Sequence, residues 1–370
     1  MSPKRNITID ALRGTALVVM AVDHLPHNGF NRVIDPYAGP FGFFTANSPF
    51  FFLAGLVCGS VYTSAREKRG HWAAVSKALK RARDLYIVNI CLFIFLAFLG
   101  YHSEVWRESA KYFYAHPAKG FLSSLAFQYN FRFLDVLPLY CAFLAATPFA
   151  IAVFERGRAW LVFVPSIALW VLAQSGPRLF VDFGLNPLAF QLPFFTGLYL
   201  GSRYKLDSTP LNHIRNSRIL TAVSAAACAV AFVARVIWGN SHYLHSFFTM
   251  HTAWFAQENQ GPLRLLNFAM FAFLIWRFSP KIPASVFENK AVQWLALMGQ
   301  HSLQVFAGSV LLADGFLMFM PAHPNETLRV IETVVTVSLL VVPAWLHREY
   351  ARNPKIMLPQ TWIQKRSLPI

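Results

Sequence analysis

The chain is 370 residues long, 55% hydrophobic and only 14% charged, with a mean hydropathy of +0.41 and a formal net charge of +16. Those values exclude an ordinary soluble domain and fit a protein that crosses a bilayer many times. The positive charge is dealt out among many short loops, which excludes a nucleic-acid-binding face.

Apolar runs near the roughly 20 residues needed to cross a hydrocarbon core recur along the whole chain. They predict ten membrane helices, over 7–25, 44–65, 85–101, 133–154, 160–174, 188–204, 219–238, 263–278, 292–318 and 330–346. The first run carries Arg13, Asp23 and His24 and is followed by no small-residue cleavage site, so it reads as a membrane helix and not a signal peptide. Between the second and third runs lies the basic stretch "REKRGHWAAVSKALKRARD" at 66–84. It is expected to rest on anionic lipid, and it could also attract a polyanionic cytosolic substrate. Cys58, Cys91, Cys141 and Cys228 all fall inside apolar runs and read as packing residues. The expected fold class is all-α: a polytopic bundle of about ten transmembrane helices forming one domain over 1–370.

Orientation follows from the basic residues. With the N-terminus inside, 23 of them fall on the cytoplasmic side and 8 on the other, which places both termini in the cytoplasm.

The first run is not a plain greasy helix. Arg13 and His24 stand 11 residues apart, a rise of about 16 Å and nearly a whole number of turns, so they share one face at two depths. Ionisable groups inside a span are costly, and those that persist commonly face the bundle interior and do work. A ligand touching both ends must be long and thin. Acyl-coenzyme A has that shape, with a phosphate head suited to arginine and a reactive carbonyl at the far tip, where a histidine can take a proton from an attacking hydroxyl. The plainer alternative stays open on these residues alone: Arg13 snorkels to the interface, and Asp23 and His24 merely end the helix.

The sequence "DALRG", opening an Arg-x10-His spacing, resembles the membrane-bound acyltransferase-3 superfamily. Further stretches are similar to one branch of it, the OpgC family: "SPFFFLAGLVCGSVY" at 48–62, "RFLDVLPLYCAFLAATP" at 132–148, "LNPLAFQLPFFTGLYLG" at 185–201, "QGPLRLLNF" at 260–268 and "MGQHSLQVFAGSVLL" at 298–312. The resemblance implies a bacterial inner-membrane enzyme that transfers an acyl group, succinyl in that family, from cytoplasmic acyl-CoA to an osmoregulated periplasmic glucan. His24 is then the general base with Asp23 beside it. Arg13, His301 and Gln304 become candidates for holding the acyl-CoA donor, and Asp135, Gln191, Asn47 and Ser48 for the sugar. Asn186, ahead of a proline, reads equally as a turn residue. Adjacent helix positions do not face each other, so His301 and Ser302 are not a base and its nucleophile. His242, His245 and His251 lie in a loop without cysteine or clustered carboxylates, and no metal is expected. The expected partners are the sugar, acyl-CoA and membrane lipid, with no nucleic acid and the oligomeric state open. Another envelope polysaccharide or a lipid-linked sugar could replace the glucan, and a transporter is the reading from another class.

Overall fold

A computed structural model describes residues 6–25, 42–131, 133–175, 184–206, 209–238, 252–319 and 325–352. Among them every regular element is helical and none is a strand. Each predicted apolar run overlaps helix, and among the described residues six helical stretches are long and apolar enough to cross a membrane by length and composition: Asn47–Arg69, His71–Gly100, Val136–Glu155, Arg218–Arg235, Ser302–Phe319 and Glu326–Arg352. The chain is a helical membrane protein.

In chain order the helices are α1 (Ile7–Asp23), α2 (Asn47–Arg69), α3 (His71–Gly100), three short helices α4 (Glu104–Ser109), α5 (Lys111–Ala115) and α6 (Pro117–Leu125), then α7 (Val136–Glu155), α8 (Trp160–Gln174) and α9 (Pro187–Leu206). After these come α10 (Thr209–Arg215), α11 (Arg218–Trp238), α12 (Thr252–Phe255), α13 (Pro262–Phe278), α14 (Ala284–Glu288), α15 (Lys290–Gln300), α16 (Ser302–Phe319), α17 (Glu326–Leu339) and α18 (Val341–Arg352).

Three of the predicted runs differ most from the helices. The third helix begins at His71, because the basic stretch continues the same helix towards Gly100. Gly70, at φ +81, is the only break between it and α2, a conformation that glycine adopts without steric cost. The ninth run is two helices, parted at His301 with φ −112 and ψ 38. The tenth is likewise divided at Leu340, just ahead of Pro343.

Local chemistry explains the starts and stops. The Asn6 side chain caps α1 by accepting from the backbone N–H groups of Thr8 and Ile9 at 3.0 and 3.4 Å. Arg66, Lys68 and Arg69 complement the dipole in the last turn of α2, and Arg66 also pairs with Glu155 at the end of α7, 2.6 Å away. Pro148, Pro165 and Pro193 sit inside α7, α8 and α9, where each removes one backbone donor from its helix.

Two close helix contacts organise the bundle. Gly55 and Gly59 of α2 face the carbonyls of Phe194 and Leu198 in α9, while Gly197 and Gly201 of α9 face those of Phe52 and Leu56 in α2. Each helix thus presents a glycine every fourth residue to the other, the small-residue packing that substitutes for a hydrophobic driving force in lipid. The second contact joins α1 to α15, where Gly14 lies on the carbonyl of Leu295 and Gly299 on that of Asp10. Around these seams aromatic rings fill the interior. Phe51 packs against Phe143 at 5.6 Å and Phe190 at 5.4 Å, and Phe143 against Phe194 at 5.3 Å.

Candidate active site

The two ends of α1 each meet a polar cluster. His24 occupies the C-cap of α1, its backbone N–H bonded to the Met20 carbonyl at 3.2 Å. Its ring is covered by Phe133, with centroids 3.7 Å apart and planes 17° from parallel. Phe133 belongs to the lead-in to α7, two residues before Asp135, the N-cap of that helix. The Asp135 carboxyl lies against Gly184, in the lead-in to α9. The chain then enters α9 through Asn186, whose backbone N–H donates to the Glu258 carbonyl at 2.9 Å and whose side-chain amide donates to Asn259 Oδ1 at 3.0 Å. Two residues past Glu258, the Gln260 Oε1 accepts from Ser48 Oγ at 2.7 Å. Asn47 and Ser48, both buried, form the first turn of α2.

Of the predicted sugar-side residues, Asp135 stands two positions from the ring that covers His24, Ser48 is tied to Gln260 in the 258–260 segment that meets Asn186, Asn47 is the neighbour of Ser48, and Asp23 is one position from His24. Gln191 lies a turn inside α9, buried, its amide donating to the carbonyls of Ser166 at 2.8 Å and Leu188 at 3.0 Å. Its NH2 group ties α9 to α8, which leaves only Oε1 for a ligand.

At the other end Arg13 donates from Nη2 to Ser302 Oγ at 2.5 Å. Ser302 is buried at the start of α16, and the half-buried Gln304 is in the same first turn. His301, at the break before it, shares a hydrogen bond with His347 of α18, Nδ1 to Nδ1 at 2.9 Å. Ser302 thus turns to Arg13 and His301 to His347, as expected for neighbours on different sides of a helix. Arg13, His301 and Gln304, read separately from sequence, share one location. Between the two ends Cys58 Sγ and Tyr140 Oη lie 3.7 Å apart, and the charges of both Arg13 and Arg81 act on this buried pair. Among the described residues no three histidine, cysteine or acidic side chains group closely enough to hold a metal ion. His242, His245 and His251 lie outside the described residues.

Three participants were not singled out by sequence. Gln260 is fully buried, holds a left-handed φ of 48 and also accepts the Trp170 indole N–H on its own carbonyl at 3.0 Å. The Gly-Pro that follows it signals a turn, but nothing in the sequence points to Ser48. His347 lies 46 positions from His301, with no motif joining them. Phe133 is one of 36 phenylalanines and carries no local mark at all.

The family model described as OpgC protein matches residues 5–352. The chain belongs to the OpgC family. Comparison of this OpgC-family protein with curated proteins and with solved structures gives no match. The match spans both ends of α1, the Ser48 and Asp135 turns and the α15–α16 break. With its apolar helices, the OpgC-family chain is a membrane protein of acyltransferase type.

Proposed function

We propose that this protein is a transmembrane O-acyltransferase that moves an acyl group, succinyl before others, from cytoplasmic acyl-CoA to a hydroxyl of a periplasmic glucan. The observation that carries the reading is the division of labour along α1. A guanidinium bonded to Ser302 marks one end and an imidazole under an aromatic ring marks the other, 11 residues away on the same face.

In this reading the basic end of the bundle is cytoplasmic. Arg13, with His301 and Gln304 beside it, receives the donor, its guanidinium offering several N–H donors to phosphate. The thin arm passes the Cys58–Tyr140 level and brings the thioester carbonyl to His24. Neutral His24 takes the proton from the sugar hydroxyl, and the oxygen attacks the carbonyl. The tetrahedral adduct collapses to an ester, CoA leaves as a thiolate, and the proton passes from His24 to solvent or to the departing sulfur. Asn47, Ser48, Asp135 and the Oε1 of Gln191 supply hydrogen-bonding groups for the sugar, and Asp23 sits beside the base. Holding both substrates in one place converts a two-body encounter into an intramolecular step, which supplies much of the rate.

The test uses inverted membrane vesicles preloaded with periplasmic glucan and given labelled succinyl-CoA or acetyl-CoA outside. Label on the enclosed glucan with wild type, and none with His24→Ala, is the expected result. Normal transfer by His24→Ala removes the histidine from the mechanism.

A further inference from the structure

We infer that Phe133 is a positioning residue for His24: its ring fixes the plane of the imidazole and shields one of its faces from water. The inference rests on the reading of His24 as the base.

The contact is a face-to-face stack, with centroids 3.7 Å apart and an interplanar angle of 17°. A base must present one ring nitrogen to the hydroxyl within a narrow range of distance and direction. A parallel ring at contact distance removes the tilting motion, and it bears on a face of the imidazole and not on the edge that carries the two nitrogens.

The backbone at Phe133 is in an unfavourable conformation. Its φ is +66, a region that side chains rarely enter and that is exceptional for a bulky aromatic. Such conformations persist only where the surroundings over-determine them, and they gather at functional sites. The surroundings here do so from both sides. Asn130, buried, donates to Asn89 Oδ1 on α3 at 3.0 Å and to the Leu134 carbonyl at 3.3 Å. Phe131 stacks on Phe93 of α3 at 4.2 Å with planes 6° apart. Leu134 is fully buried, and the Asp135 carboxyl lies against Gly184 in the lead-in to α9. The segment is a strut anchored to α3 before Phe133 and to the α9 lead-in after it. What the strained residue between the anchors delivers is a ring on His24.

Phe133→Gly separates this role from a structural one, because glycine relieves the positive φ while deleting the ring. The purified full-length protein is assayed for acyl transfer and thermal melting with wild type, Phe133→Gly, Phe133→Ala, Phe133→Tyr and His24→Ala in parallel. Phe133→Gly is expected to melt no lower than Phe133→Ala, to lose about ten- to a hundredfold in kcat with a smaller change in KM, and to displace the acid limb of the pH–kcat profile. Phe133→Tyr, which keeps the stacking ring, is expected to restore both. If Phe133→Gly does not fold, Phe133→Leu against Phe133→Tyr gives the same comparison. A wild-type kcat and pH profile in the ringless variant, or a Phe133→Tyr as impaired as Phe133→Gly, overturns the inference while His24→Ala remains inactive. An active His24→Ala overturns instead the reading beneath it.

Discussion

Arg13 makes one hydrogen bond to a buried neutral hydroxyl, and the direction of that bond sorts the effects of substituting each partner. In the proposed reading the further N–H groups of the guanidinium meet the donor's phosphate, so removing it would delete both that contact and the link to α16. Arg13→Ala is expected to raise the KM for acyl-CoA by roughly tenfold or more, in line with about 1.5–3 kcal/mol for a hydrogen bond to a charged group. Arg13→Lys recovers charge but not the fork, and should fall between. Ser302→Ala leaves the charge in place and loses only its anchor, so a smaller rise in the same KM with kcat unchanged is expected. Steady-state kinetics with varied acyl-CoA reads all three, and an Arg13→Ala with wild-type KM removes Arg13 from donor binding. The residues of this chain that sequence made legible are those whose chemistry clashes with an apolar run. Arg13 and His24 stand out for that reason, as do Gln191 and Asp135. Phe133 and His347 do not, because a phenylalanine in a greasy stretch and a histidine in a basic tail look ordinary until the fold seats them on a partner.

Helices touch through two kinds of glycine here, and the two should respond differently to the same substitution. A Cβ at Gly299 would overlap the carbonyl of Asp10, and one at Gly14 that of Leu295. Backbone cannot yield as a side chain does, so α1 must move off α15 and carry Arg13 away from Ser302. Gly14→Ala and Gly299→Ala are expected to reduce the fraction of monodisperse protein on size-exclusion chromatography in detergent, and to raise the acyl-CoA KM in whatever folds. Gly70 has open space around it and only its φ of +81 to protect. Gly70→Ala should therefore cost about 1 kcal/mol, seen as a lower melting temperature with unchanged kinetics. The existence of the helices was legible from apolar length alone. Their internal breaks were not: apolar residues continue on both sides of His301 and Leu340, so each pair of helices reads as one run long enough to cross a membrane. The three short helices between Glu104 and Leu125 were equally hidden, being too short to show a period.

At the scale of the whole molecule, the proposed reaction requires that the Arg13 end and the basic turn between α2 and α3 face the cytoplasm and that the His24 end faces the periplasm. The all-α membrane architecture was legible from composition, since no other fold satisfies backbone groups in so apolar a chain short of a closed barrel. Sidedness rests on charge alone, with 23 basic residues assigned to one side and 8 to the other. The 30-residue α3 offers a direct test, because it is about 45 Å long and exposed lysines stand around its start and on the short helices that follow it. Lys68 and Lys80 flank its start, and Lys111 and Lys119 lie on the short helices that follow its end. In a background where the exposed Cys91 is replaced by serine, single cysteines at these four positions are labelled with a membrane-impermeant maleimide. Positions 68 and 80 should react in inverted vesicles and not in intact spheroplasts, and 111 and 119 the reverse. Were 111 and 119 to react from the cytoplasmic face instead, His24 would meet acyl-CoA directly. Arg13 would then stand where the donor never arrives, and the transfer could not run across the membrane in the proposed sense.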